Sequence, residues 1–154
     1  MKHLTPEFEK LRARFPAGFE SSLVLPCVRR IQEDRGYVAD EDIEQLAVYL
    51  SVPQIQIEEV LSFYTMFRRK PIGRWHLQFC RNISCSMNGA ERILGHVEHR
   101  LGIRPGETTP DGRFTLSVVE CLGSCGTAPM MMVNEGYHEN LTHARVDELL
   151  EGLK

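Results

Sequence analysis

The chain has 154 residues, 42% of them apolar, a formal net charge of −3 and five cysteines. That length holds one ordinary domain, or a small domain plus a helical arm, and its core needs no disulfide staples. The opening MKHLTPE lacks an apolar signal core and no run of about 18 apolar residues occurs, so neither export nor membrane insertion is expected and the protein is expected to be cytoplasmic. In a reducing compartment, clustered cysteines hold metal or do redox chemistry more often than they form structural disulfides. Charge is unevenly spread: residues 1–66 are net acidic, residues 67–104 carry eight Lys/Arg against two Asp/Glu, and the remainder is acidic again. Such a basic middle implies a polarised surface or simply solvated faces.

Residues 5–14 predict a short, peripheral helix with Pro6 in its first turn. A second helix over 22–32 shows an apolar face at Leu23, Cys27 and Ile31 and ends near Gly36, with Pro26 either kinking it or marking its first turn. Cys27 lies within that stripe and reads as a small buried hydrophobe. Asp40 is the expected N-cap of a third helix carrying Ile43, Leu46, Ala47 and Leu50. After Val52-Pro53, a fourth helix over 56–63 runs into the aromatic segment FYTMF. This pair of helices has helix-turn-helix spacing, but the second carries two glutamates and no Lys or Arg, the wrong sign for phosphate, so nucleic acid is not an expected partner.

Arg68, Arg69, Lys70 and Arg74 surround Pro71 and Gly73 and read as a linker, which sets the expected division at 1–70 for a helical arm and 71–154 for an α/β domain. Residues 75–79 alternate as a strand ending at Cys80, and Ala90, Ile93, Leu94, Val97 and Leu101 form the stripe of a helix stopped by Gly102. On that helix His96 and His99 are expected to face solvent. Phe114, Leu116 and Val118 alternate in a second strand leading to Cys121; residues 130–133 form a third and 137–139 a return strand. Thr142 caps a last helix with Val146, Leu149, Leu150 and Leu153 inward. The isomer of the Ala128-Pro129 bond is open from sequence.

Four cysteines form two close pairs, Cys80/Cys85 and Cys121/Cys125. A strand-helix-strand unit makes its two strands parallel, so the loops after Cys80 and Cys121 should open side by side at the carboxyl edge of the sheet, the usual ligand edge of open α/β sheets. The spacings permit tetrahedral zinc, although a chain with its own core has less need of it. They lack the two-residue spacing of a thioredoxin-type redox pair, the third nearby cysteine of plant-type ferredoxins and the loop histidines of Rieske centres. A 2Fe-2S cluster fits better, one pair per iron in the simplest assignment. Its charge of about −2, or about −3 when reduced, asks for backbone N–H groups and a helix N-terminus nearby. The loops supply small and glycine residues for this, and Arg81 adjoins the first cysteine.

Taken with the ECLGSCGTAPMM segment and the SFYTMF arm, this pattern resembles the 2Fe-2S subunit of bacterial respiratory NADH:quinone oxidoreductase (complex I, 24 kDa subunit family). The resemblance spans nearly the whole chain. It implies a thioredoxin-like 2Fe-2S ferredoxin domain behind an N-terminal helical bundle, with Cys80, Cys85, Cys121 and Cys125 as cluster ligands. It further implies a non-catalytic electron-transfer subunit, held to the inner membrane only through its complex. The cluster would exchange one electron with the FMN of a partner that also binds NADH, and no flavin or nicotinamide fingerprint occurs in this chain. Equivalent subunits of NAD-linked formate dehydrogenases and hydrogenases share the module. The arm, Arg68–Arg74 and the cysteine loops are the expected docking surfaces.

Overall fold

A computed structural model of the chain describes residues 2–153. Two compact units divide the chain, Met1–Pro71 and Ile72–Lys154. Each is organised around its own apolar core.

The first unit is helical: α1 (Thr5–Arg12), α2 (Val24–Arg35), α3 (Asp40–Leu50) and α4 (Gln54–Phe63), with 3-10 turns at Lys2–Leu4 and Glu20–Leu23 leading into α1 and α2. Pro26 lies in the first turn of α2, where a missing N–H costs no helical bond. Gly36 ends α2 at φ 89°, and its N–H donates to Gln32 O at 2.7 Å. Val24, Cys27, Val28 and Ile31 of α2 pack with Ile43, Leu46, Ala47 and Leu50 of α3 and with Ile57 and Leu61 of α4. Each valine, leucine or isoleucine among them that is removed from water contributes about 1.5–3 kcal/mol.

Three expectations for this unit change. First, α1 is not peripheral: Phe8 is buried in the core, its ring 5.5 Å from that of Tyr49. A single aromatic on a short, charged helix gives no periodic stripe, so the sequence underrates its burial. Second, Asp40 does not cap α3. The helix begins after Ala39, whose N–H donates to the Asp42 carboxylate at 2.9 Å, and buried Asp42 also takes Arg35 at 2.9 Å. Third, Arg68 and Arg69 are not a free linker: the backbone of one and the side chain of the other are bonded to the helical unit. The Arg68 N–H donates to Gln32 Oε1 at 2.7 Å, and Arg69 binds the Val38 carbonyl, Glu58 and Asp40. They fasten the end of the unit to its own helices.

Cys27 is fully buried, and its burial pushes the thiol up to about 12, against a smaller opposing pull from Arg12. Below about pH 8.5 the thiol is neutral whether the chain is folded or not. Above that, the unfolded chain loses the proton and the folded one keeps it, so stability falls as pH rises towards the folded value, by up to about 1.4 kcal/mol per pH unit. Burial and the Glu9 carboxylate raise Tyr49 in the same direction, also to about 12. Urea unfolding followed by far-UV circular dichroism is therefore expected to show a less stable protein at about pH 10.5 than at about pH 8. Cys27→Ala should flatten part of that slope; an unchanged slope would exclude Cys27 as its source.

The second unit carries β1 (Trp75–Cys80), α5 (Ile83–Met87), α6 (Ala90–Leu101), β2 (Phe114–Val119), β3 (Met131–Val133), β4 (Gly136–His138) and α7 (His143–Gly152). The sheet order is β2-β1-β3-β4. β1 and β2 are parallel, running from Trp75↔Phe114 to Cys80↔Val119, as the intervening helix requires. β3 is antiparallel to β1 (Phe79↔Met131) and β4 to β3 (Met131↔His138). One edge thus receives the carboxyl ends of β1, β2 and β4 and the start of β3. Ile93 and Val97 of α6 and Val146 and Leu150 of α7 cover Leu77, Phe79, Leu116, Met131 and Val133. Thr142 caps α7 through a bond from Arg145 N at 3.2 Å. Met130 and Met131 are completely buried, as expected of a core strand.

On α6, His99 is exposed but His96 is not turned to solvent. His96 Nε2 lies 2.9 Å from Asp147 of α7, and its ring stacks on His143 at 4.5 Å. Arg100 joins the same carboxylate at 3.1 Å. The contact spans 51 positions in sequence, beyond the reach of helical periodicity.

Candidate functional site

Cys80 ends β1 and Cys121 follows β2 by two residues, so the parallel register sets both at one edge of the sheet. Several bonds tie the two cysteine segments together. The Arg81 N–H donates to Val119 O at 3.1 Å, and its guanidinium pairs with Glu120 at 2.6 Å. Arg81 is therefore partnered across the two segments rather than simply solvated. The Ser84 hydroxyl donates to the Cys125 carbonyl at 2.8 Å, and the Cys80 thiol lies 3.9 Å from the Glu120 carbonyl.

Cys85 is in a helix, not the loop that its small, polar neighbours predict. The Asn82 side chain accepts from Ile83 N at 2.9 Å to start α5, a segment of five residues and too short to show a period. Gly89, at φ 87°, then turns the chain into α6, whose first residue Ala90 packs with Cys80, Cys85 and Met130. The start of α6 thus lies against the first cysteine pair, as a negatively charged group there would favour.

The two pairs differ in setting. Cys80 and Cys85 are buried, whereas Cys121 and Cys125 are exposed, and all four are free thiols. Burial first, then a hydrogen bond with Cys80 and the charges of Cys80 and Cys125, push the Cys85 thiol up; a backbone N–H from Met130 pulls the other way. Gly123 N lies 3.3 Å from the Cys121 sulfur. Gly123 sits at φ 77°, and a Cβ added there or at Gly126 would meet no atom within 4 Å, so open space adjoins the second pair. Among the described residues, no three His, Cys, Asp or Glu side chains are gathered closely enough for a single metal ion. The Ala128-Pro129 bond that leads into β3 is cis.

Residues beyond the expected set also touch the site. Tyr137 and Glu139, on and just after β4, bind the 121–127 segment. Their alternate spacing places them on one side of an extended strand, but only the register of β4 shows that this side meets the cysteine loop.

An α/β unit of this topology, with paired cysteines at the carboxyl edge, defines a thioredoxin-like ferredoxin. The chain belongs to the family described as thioredoxin-like [2Fe-2S] ferredoxin, which matches residues 8–154. Among curated proteins it is 47% identical over 148 residues to an NADH-quinone oxidoreductase subunit of Rhizobium meliloti, covering 96% of this chain and 87% of that protein. It is 41% identical over 147 residues to NADH-quinone oxidoreductase subunit 2 of Thermus thermophilus, covering 95% and 81%. Its fold is similar to part of an NAD+-reducing [NiFe]-hydrogenase crystal structure, with a TM-score of 0.71 at 24% identity over 82% of this chain and 22% of that one.

Proposed function

We propose that this chain is the electron-transfer subunit of an NADH:quinone oxidoreductase, with Cys80, Cys85, Cys121 and Cys125 as the thiolate ligands of one 2Fe-2S cluster. The observation that carries the reading is the parallel β1–β2 pairing, which delivers both cysteine pairs to one sheet edge. The donor set fits the group: four free thiols, with glycines and open space beside Cys121 and Cys125. Each pair would hold one iron, which needs two thiols per metal rather than four around one ion. When bound, the cluster supplies one-electron redox chemistry.

The protein's part is to hold and insulate the site. Met130 and Ala90, packed against Cys80 and Cys85, exclude water from the first pair, and the backbone N–H groups of Gly123 and Met130 stabilise negative sulfur. No proton transfer or nucleophilic attack is assigned to any residue. The partner is an FMN- and NADH-binding subunit, and exposed Cys121 and Cys125 with Ile83 and Met87 offer it a face where the site lies near the surface. No helix among the described residues is long and apolar enough to cross a membrane. Attachment at the inner membrane would then come through the complex. The fold likeness to the hydrogenase keeps an NAD-linked hydrogenase subunit as the alternative; copurifying subunits distinguish the two.

Anaerobic purification is expected to give a red-brown protein with about two iron and two sulfide per chain and an EPR signal on reduction. Zinc on the thiolates with no iron would overturn the cluster assignment.

A further inference from the structure

We propose that Glu139, assisted by Tyr137, is a positioning residue for the second cysteine pair: from the end of β4 it clamps the 121–127 loop and turns that loop's hydroxyl donors away from the sulfurs. The inference rests on the reading of this edge as a 2Fe-2S site.

The topology brings the clamp there. β4 runs antiparallel to β3, so its end reaches the cysteine edge. The Tyr137 hydroxyl donates to the Leu122 carbonyl at 2.8 Å, just after Cys121. Oε1 of Glu139 accepts from the hydroxyl of Ser124, which adjoins Cys125, and from that of Thr127 at 2.6 Å. Asn140 N–H donates to the Thr127 carbonyl at 2.8 Å. Besides the clamp, the Ser84 hydroxyl holds the Cys125 carbonyl and the Ser124 and Thr127 hydroxyls lie 2.8 Å apart, but Cys121 and Cys125 are exposed and no residue of the 3-10 turn Cys125–Thr127 is buried. Without the clamp, the second pair would depend on the Ser84 bond and on bonds within a glycine-containing loop.

The arrangement has two effects on a bound cluster. It restricts the positions of Cys121 and Cys125. It also places an acceptor of two hydroxyl protons, and a negative charge, behind the loop. Bonds from the same two hydroxyls hold the Glu139 carboxyl below its ordinary range. Hydrogen bonds to cluster sulfur and net charge both set reduction potential. A carboxylate that withholds donors and adds negative charge makes the extra electron less welcome, so its removal should raise the potential.

The test uses the full chain, reconstituted anaerobically with ferrous iron and sulfide, as the parent protein, Glu139→Gln and Glu139→Ala. In Glu139→Gln the amide oxygen still accepts a hydroxyl bond, so iron should be retained. The reduced-to-oxidised ratio at a fixed poise, read by EPR titration, should rise about threefold, equivalent to about 28 mV at 59 mV per tenfold. In metal-free Glu139→Ala, iodoacetamide should modify Cys121 and Cys125 about threefold faster than in the parent, with Cys80 unchanged, because the loop loses the two side-chain bonds that join Ser124 and Thr127 to the end of β4. An unchanged midpoint in Glu139→Gln, or equal alkylation in Glu139→Ala, overturns the proposal. Should Glu139→Ala unfold, Cys27 will react as well and the Glu139→Gln midpoint alone decides. A parent protein that takes up no iron would instead sink the cluster reading, while the alkylation arm still reports on the clamp.

Discussion

Cys121→Ser is expected to lose iron by at least about tenfold and with it the EPR signal of the reduced protein, since even outer-shell changes at metal sites cost that much. Serine keeps the size of the side chain but replaces a soft thiolate by a hydroxyl that stays protonated at neutral pH. Cys121 is well suited to this test because it is exposed, so no core packing is lost with the sulfur. Cys80 and Cys85 are buried, and substitution there would mix loss of a ligand with loss of packing. Unaltered far-UV circular dichroism together with lost iron is the expected pair of results. Cys27→Ser serves as the control. It places a hydroxyl in a fully buried position of the helical core, at a cost of about 1–3 kcal/mol if the hydroxyl is unbonded, and should leave the EPR signal unchanged. Retention of iron in Cys121→Ser would remove that residue from the ligand set. A lost signal in Cys27→Ser would mean that its role is not confined to packing.

Gly73→Ala should destabilise the second unit by about 1–3 kcal/mol through overpacking. Gly73 is buried just before β1, and its N–H donates to Thr115 Oγ1 at 2.6 Å. A Cβ there would lie 2.9 Å from the carbonyl carbon and oxygen of Arg113 and from the carbonyl carbon of Phe114. These are backbone atoms at the start of β2 and cannot swing aside. Relief requires β1 and β2 to part at the end of the ladder opposite Cys80. The chain's single tryptophan, Trp75, lies two residues on and reports the transition by fluorescence during urea unfolding. Gly95→Ala is the contrasting substitution. Its Cβ meets nothing within 4 Å on α6, and the gain in helix propensity should make it neutral or stabilising by about 1 kcal/mol. Equal midpoints for the two variants would show that the close approach at Gly73 relaxes freely.

Much of the fold is legible because it depends on local periods and a topological rule. The stripes through Ile43, Leu46 and Leu50 and through Ile93 and Val97 mark their helices, and Phe114 and Leu116 mark β2. The preference for parallel strands across a helical connection places Cys80 and Cys121 together from the sequence alone. What escapes depends on distance or brevity. α5 has five residues, fewer than two turns, so Cys85 reads as part of a loop. Asp40 and Asp42 both suit a helix start, and only the buried position of Asp42 and its bond to Ala39 choose between them. His96 finds Asp147 through the packing of α6 on α7. Arg69 reads as linker charge because Glu58 and Asp40 lie 11 and 29 positions away. Glu139 lacks any local mark, because the hydroxyls it binds lie 12 and 15 residues earlier and meet it only once β4 has folded back.

The division between Pro71 and Ile72 bears on how such a chain changes over generations. With two cores instead of one, a mutation that repacks α2 against α3 acts within the core of the first unit, and the ladder that sets Cys80 beside β2 belongs to the second. The helical unit displays Val48, Ile55, Phe63 and Met66 to solvent, positions whose replacement leaves its interior intact. That outer surface can therefore be changed by substitution without loss of the core beneath it.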